Sequence, residues 1–137
     1  MSAPLSSIID QPSKTLQQNV LAIGSLANIL ASSLGPNAHS KLIVDPNGKV
    51  IVSQDGAFIL RQLQVTQPAT RLLVDSVLTL DQLVGDGTTT TAILTSALIE
   101  KAYDCAVRNG VSVVHLIRGY RMALKFVLDE LFDQLLI

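Results

Sequence analysis

The sequence predicts a mainly α-helical domain that carries one small β-hairpin. Apolar residues recur at alternating spacings of three and four over most of the chain, which is the period of an amphipathic helix. Two short β-branched runs flank the turn residues Asp45–Gly48, a combination typical of a hairpin. The length of 137 residues fits one ordinary domain.

The expected elements follow from local signals. The first helix carries apolar residues from Leu16 to Leu34 and is expected to end at Gly35-Pro36, because proline disfavours helical geometry in the residue before it. Residues 1–13 are expected to form an irregular leader or a short strand at 5–9. The remaining predicted elements are strands 42–44 and 50–52, a helix over 57–64 capped by Asp55, a helix from Pro68 with Leu73, Val77, Leu80 and Val84 buried, a helix over 88–108, and a helix capped by Ser112.

The last helix has no sequence signal for its end. Its apolar face continues to the final residue with no glycine, asparagine or basic turn, which suggests a chain cut from something longer. The apolar positions are Leu116, Tyr120, Leu124, Val127, Leu131 and Leu135.

The composition is unusually apolar for a soluble domain of this size. Hydrophobic residues make up 48% and charged residues 15%, where about 25% charged is usual, and the mean hydropathy is +0.43. The excess belongs in a membrane, against a partner, or against a further part of the protein. The longest uncharged stretch, Thr15–Ser40, contains many amide and hydroxyl side chains, which are costly in hydrocarbon, so no membrane association is expected.

Charge and cysteine content exclude other classes. A net charge of −1 offers no basic surface for phosphate backbones, so no nucleic acid partner is expected. One cysteine, Cys105, rules out a disulfide framework and fits a reducing compartment. The two histidines, His39 and His115, show no zinc-type spacing with it.

The segment 84–92, Val-Gly-Asp-Gly-Thr-Thr-Thr-Thr-Ala, is the strongest candidate for a functional site. Its glycines permit close approach of a ligand to the backbone, and the following helix start offers free N–H groups to an anion. Asp86 beside a polyphosphate could hold Mg²⁺. A plain turn between helices with Thr88 as N-cap explains the same residues, and both interpretations stay open.

Two further turns could belong to the same site. Gly35-Pro36 ends one helix, and Asp55-Gly56 begins another. Each also has an ordinary explanation, a helix stop and an N-cap respectively. Spacing alone does not show that the three turns converge.

Taken in order, these motifs resemble the ATP-site motifs of group II chaperonins, the family of the archaeal thermosome and the eukaryotic cytosolic chaperonin. The resemblance covers roughly residues 5–135 and is most like the alpha subunit. It rests on Ser33-Leu34-Gly35-Pro36, Lys41-Leu42-Ile43-Val44, Asp55-Gly56-Ala57-Phe58-Ile59-Leu60 and Val84-Gly85-Asp86-Gly87-Thr88-Thr89. The sequence also differs from the family pattern nearby. Ala38-His39-Ser40-Lys41 stands where the family usually has Gly-x-Asp-Lys, Asp81-Gln82-Leu83 where it usually has Asp-Glu-Glu or similar, and Gln54 where asparagine is common.

The resemblance implies residue roles and cofactors, ATP and Mg²⁺. Asp86 would ligate Mg²⁺, and Asp55 would be catalytic by positioning the attacking water near the γ-phosphate. The implied nucleotide-binding residues are Leu34, Gly35, Pro36, Gly56, Gly87, Thr88, Thr89 and Thr90.

The resemblance also implies a larger assembly. Residues 14–137 would be the N-terminal part of an ATP-binding equatorial domain, an incomplete helical bundle whose last helix leads toward an intermediate domain. Family members act in the cytoplasm as double rings of chaperonin subunits that fold unfolded polypeptide clients. Because family members are much longer, we expect weak or no ATPase activity from this chain alone. The alternative is a non-catalytic helical interaction module derived from a chaperonin subunit; a third, weaker interpretation is a small helical domain with no nucleotide role.

Overall fold

The computed structural model describes residues 11–44 and 47–131, with side chains from residue 14 onward. It contains α-helices joined by short turns and one two-stranded sheet, as the sequence predicts. In chain order the elements are α1 (Gln11–Ala31), β1 (Lys41–Val44), β2 (Val50–Ser53), α2 (Gly56–Gln62), α3 (Pro68–Val84), α4 (Thr88–Asn109), α5 (Val113–Phe126) and a π-helical turn (Val127–Leu131).

The predicted hairpin is confirmed. Strands β1 and β2 pair antiparallel, with Leu42 opposite Val52 and Ile43 opposite Ile51. Gly48 has φ +79°, the left-handed conformation expected of the residue that leaves the turn. Asp45 and Pro46 lie outside the described residues, as does the strand expected at 5–9.

Local signals also set the starts of α2, α3 and α5. Asp55 caps α2, because its carboxylate accepts a hydrogen bond from the Ala57 amide. Pro68 occupies the first turn of α3, where a backbone N–H would have no partner within the helix, so proline costs no hydrogen bond there. Ser112 caps α5 by accepting a bond from the His115 amide. These three predictions are confirmed.

The chain divides into two compact units after Glu100, and the first contains the apolar core. Its buried side chains come from α1, α2 and α3, with one alanine from α4. The four largest that are almost fully buried are Leu30, Ile59, Leu60 and Val77. The buried cluster consists of Ile23, Leu26, Leu30, Ile59, Leu60, Leu73, Val74, Val77 and Ala92.

The second unit, residues 101–137, contains the end of α4, then α5 and the π-helical turn. No residue of α5 or of the π-helical turn is buried in this structure. The apolar positions predicted from the sequence are therefore exposed or half-exposed here, except Leu135, which lies outside the described residues. The π-helical turn also interrupts the continuous α-helical period that the sequence predicts beyond Phe126.

Some sequence predictions are wrong in detail. Helix α1 ends at Ala31, earlier than the apolar pattern to Leu34 indicates, because a turn begins there. Val84 is 67% exposed although its spacing predicts burial, since it is the last residue of α3 and the chain turns at Gly85. Across the described residues, no helix combines the length and apolar character needed to cross a bilayer.

Truncating the core at Leu30 should destabilise the protein strongly. Leu30 has no exposed surface, so Leu30→Ala leaves a cavity and should lower the free energy of unfolding by about 2–5 kcal/mol. The measurement is urea denaturation followed by far-UV circular dichroism. The matched control is Leu21→Ala, in the same helix but exposed, expected within about 0.5 kcal/mol of the unaltered chain. Equal effects of the two substitutions would contradict this core.

Candidate functional site

A polar cavity of about 330 Å³ in the first unit is bordered by two of the three turns singled out from the sequence, and by Leu34, which immediately precedes the third. Its wall consists mainly of carboxylates, hydroxyls and glycine backbone, with Leu34 as its one large apolar side chain. The lining residues are Leu34, Gln54, Asp55, Gly56, Asp81, Gly85, Asp86, Gly87, Thr88, Thr89 and Thr90. Most of the site residues implied by the family resemblance therefore border one space, including Asp55 and Asp86.

Two glycines shape the turn between α3 and α4. Gly85 ends α3 with φ +78°, and its amide donates to the Asp81 carbonyl at 2.8 Å. Gly87 has φ +76° and precedes α4. Both conformations are unfavourable for residues with a side chain, so the turn exposes Asp86 between two positions that require glycine.

The first residues of α4 present backbone donors to this cavity. The Thr91 amide donates to the Gly87 carbonyl at 2.8 Å, which is the first helical bond of α4. The amides of Thr88, Thr89 and Thr90 precede it and have no partner within an α-helix. A helix start of this kind favours an anion, both through its free N–H groups and through the helix dipole.

The carboxylates of Asp55 and Asp86 are each held by a backbone amide. Asp86 Oδ1 accepts from the Gly87 amide at 2.6 Å. Asp55 Oδ1 accepts from the Ala57 amide at 2.9 Å. Among the described residues, the second oxygen of each carboxylate accepts no hydrogen bond, so each remains available to a ligand or metal.

The backbone at Gly56 lies directly against Thr89. A Cβ built at Gly56 would overlap Thr89 Oγ1 and would lie 3.3 Å from its Cβ and 3.4 Å from its backbone nitrogen. Gly56 is therefore required by the close approach of two chain segments rather than by its backbone angles. This contact brings the starts of α2 and α4 together at the cavity.

Asp81 is a cavity residue that the sequence analysis did not identify. Its Oδ2 accepts from the Arg61 guanidinium at 2.8 Å, and its Oδ1 accepts from the Thr88 hydroxyl at 3.2 Å. Thr88 is therefore the first residue of α4 and not its N-cap, and its hydroxyl proton is directed to Asp81. One signal was present: Asp81 stands one helical turn before the glycine that ends α3.

The wall near the end of α1 is formed by Leu34. Its neighbours Gly35 and Pro36, implied as nucleotide-binding residues, do not line the cavity in this structure. Gln54 lines the cavity, and its Nε2 donates to the Ser40 hydroxyl at 3.1 Å. Two of the positions that differ from the family pattern, Ser40 and Gln54, are thus in contact with each other.

The donor set fits a magnesium polyphosphate better than a metal held by protein alone. The described residues contain no group of three or more His, Cys, Asp or Glu side chains arranged to hold a metal ion. Mg²⁺ commonly takes one or two carboxylates and completes its shell with phosphate oxygens and water. Asp86 and Asp55 could supply the carboxylates, and the amides at the start of α4 could hold the phosphates whose oxygens complete the shell of the metal.

Comparison with known proteins identifies the family of this chain. Residues 26–136 match the model of the TCP-1/cpn60 chaperonin family. The chain is 43% identical over 108 residues to T-complex protein 1 subunit alpha of Arabidopsis thaliana, an alignment covering 79% of this chain and 20% of that protein. It is 38% identical over 140 residues to thermosome subunit alpha of Saccharolobus solfataricus, covering 98% of this chain and 25% of that protein.

The chain belongs to the TCP-1/cpn60 chaperonin family. Its similarity to alpha subunits of both the T-complex protein and the thermosome confirms the resemblance found in the sequence. The chain spans about a fifth to a quarter of the length of these curated relatives.

The N-cap at Asp55 can be tested apart from any catalytic role. Asp55→Ala removes the bond to the Ala57 amide and should lower the free energy of unfolding by about 1 kcal/mol. Asp55→Asn keeps an oxygen that accepts this bond and should leave stability within a few tenths of a kcal/mol. Urea denaturation measures both variants. Equal loss in both would show that the cap is not the source of the effect.

Gly56→Ala should destabilise the protein by about 1–3 kcal/mol, because the added methyl group forces α2 and α4 apart at Thr89. The matched control is Gly24→Ala, within α1, where an added Cβ meets nothing within 4 Å. That substitution should stabilise the protein by about 0.5–1 kcal/mol through helix propensity. Thermal unfolding distinguishes the two, and a stable Gly56→Ala variant would contradict the close approach.

Proposed function

We propose that this chain forms the Mg-ATP-binding part of a chaperonin subunit, and that the cavity between the starts of α2 and α4 takes the phosphates. The observation that carries this proposal is the wall of the cavity. It combines the amides of Thr88, Thr89 and Thr90, which have no partner within the helix, with two carboxylates that each keep one oxygen without a hydrogen bond from the described residues. Amides at a helix start attract phosphate, and the carboxylates attract its metal counterion.

Each residue contributes a distinct element of binding. The α4 amides donate to phosphate oxygens, joined by the hydroxyls of Thr89 and Thr90, while the Thr88 hydroxyl remains on Asp81. Leu34 contacts the nucleoside end, while Gly35 and Pro36 follow it in the chain without lining the cavity. Asp86 holds Mg²⁺, which supplies the positive charge that neutralises the transferred phosphoryl group.

Asp55 is the proposed catalytic residue. Asp55 lines the cavity beside Gly56, and its carboxylate oxygen that accepts no hydrogen bond from the described residues would orient a water for attack on the terminal phosphate. Phosphoryl transfer depends mainly on such positioning and on charge neutralisation, so one oriented carboxylate and one metal account for the chain's contribution. The hydrogen bond to the Ala57 amide keeps the carboxylate in one orientation.

The wider function follows from family membership. We propose that residues 14–137 form the N-terminal part of an equatorial ATP-binding domain in a cytoplasmic chaperonin. There it associates with other chaperonin subunits in a double ring, where ATP binding and hydrolysis drive the folding of unfolded polypeptides. Support comes from the similarity to proteins named as subunits of the T-complex and the thermosome.

A second candidate function is that of a non-catalytic interaction module derived from a chaperonin subunit. The observation that favours it is the exposure of large apolar side chains along α5, including Val114, Met122 and Phe126. Such a surface is typical of protein–protein contact. This module would associate with a partner without binding Mg-ATP, so nucleotide binding discriminates between the candidates.

Binding of ATP should depend on magnesium through Asp86. We expect Mg²⁺ to tighten ATP binding to the unaltered chain about tenfold or more, and Asp86→Asn to abolish that gain because the metal loses its charged ligand. Isothermal titration with and without Mg²⁺ measures both values.

The control for this experiment is Asp75→Asn. Asp75 is an exposed carboxylate of α3 that does not line the cavity, so the same change of charge should leave the magnesium dependence intact. A retained magnesium effect in Asp86→Asn would contradict the metal assignment. Absence of ATP binding by the unaltered chain would favour the interaction module.

A further inference from the structure

Asp81 accepts a hydrogen bond at each end of the turn that contains Asp86. The Asp81 carbonyl accepts from the Gly85 amide at 2.8 Å, where the turn begins. The Asp81 carboxylate accepts from the Thr88 hydroxyl at 3.2 Å, where the turn ends and α4 begins. Backbone and side chain of a single aspartate thus span the segment that carries the proposed metal ligand and the first phosphate donors.

These two hydrogen bonds of Asp81 matter because the turn has few other restraints. Neither Gly85 nor Gly87 has a neighbouring atom within 4 Å of the position that a Cβ would occupy, so side-chain packing does not hold them. The one hydrogen bond within the turn runs from the Gly87 amide to Asp86 Oδ1. Glycine also has the largest conformational freedom of any residue. The geometry of the turn therefore depends on its ends.

The second oxygen of Asp81 connects this turn to α2. It pairs with Arg61, whose side chain is 47% exposed, against 20% for Asp81. An ion pair this exposed contributes little to stability, so its main consequences are orientation and charge. It directs Oδ1 toward Thr88 and compensates one of the three carboxylates that line the cavity.

From these contacts we infer that Asp81 is a positioning residue for the proposed phosphate site. It acts through Thr88 and Gly85 and does not itself contact nucleotide or metal. The inference rests on the proposed function, because a positioning role needs the bound phosphates to position. It predicts that removing the Asp81 carboxylate loosens the start of α4 and weakens Mg-ATP binding, while the core of α1, α2 and α3 stays folded.

The test compares Asp81→Ala, Thr88→Val and Asp81→Asn in the complete chain. Asp81→Ala and Thr88→Val both remove the hydrogen bond and should raise the dissociation constant for Mg-ATP about tenfold. Asp81→Asn keeps an oxygen acceptor for Thr88 and should recover most of the affinity, which a merely charge-based role would not allow. Asp75→Ala, an exposed aspartate of the same helix, is the control and should bind as the unaltered chain does.

A second measurement needs no nucleotide. The Thr91 amide makes the first helical bond of α4, so its hydrogen exchange reports how firmly that helix begins. Exchange should become about tenfold faster in Asp81→Ala and Thr88→Val but not in Asp75→Ala. Unchanged exchange and unchanged affinity in the first two variants would overturn the positioning role and leave the proposed function standing. If the unaltered chain binds no Mg-ATP, the proposed function and this role both fall, whatever the exchange rates show.

Discussion

The contact between the Gly56 backbone and Thr89 determines the geometry of the whole cavity. It allows the start of α2 to lie against the start of α4, although α3 separates these helices in sequence. Because Asp55 immediately precedes Gly56, and Asp86 lies just before α4, their carboxylates reach the same space. The buried cluster behind them, centred on Ile59, Leu60 and Val77, keeps α2 and α3 in place.

The charges around this space bear on the proposal that a metal accompanies the phosphates. Asp55, Asp81 and Asp86 all line the cavity, and only Asp81 has a basic partner among the described residues, Arg61. The amides at the start of α4 favour an anion, whereas two uncompensated carboxylates oppose one. In the proposed complex, a divalent cation carried by the phosphates would reconcile these opposed tendencies.

Features set by neighbours in sequence were predictable, and features set by distant neighbours were not. The cap at Asp55 and the turn around Asp86 follow from local signals, because the bonds that define them join residues one or two positions apart. Asp81 was missed because its role depends on Arg61 and Thr88, which belong to different helices. Periodicity likewise gave a wrong prediction at Val84, which is exposed because it is the last residue of α3 and the chain turns at Gly85.

For the same reason, the spacing of the motifs in the sequence could not show that residues from all three segments border one cavity. Helix signals give the direction of each segment and the face it buries, but not the angle at which one segment meets another. That angle depends on side-chain packing such as Leu30 against the helices around it. The close contact at Gly56 could not be anticipated either, since Asp-Gly before a helix is equally typical of a plain cap.

The hydrogen bond from Gln54 to Ser40 has a mechanical consequence. Gln54 follows β2 and lines the cavity, whereas Ser40 ends the loop that leads from Leu34 to β1. One amide group therefore links the two approaches to the hairpin just beside the cavity. Separating the two strands at this end of the hairpin therefore requires breaking this hydrogen bond as well as the bonds that pair β1 with β2.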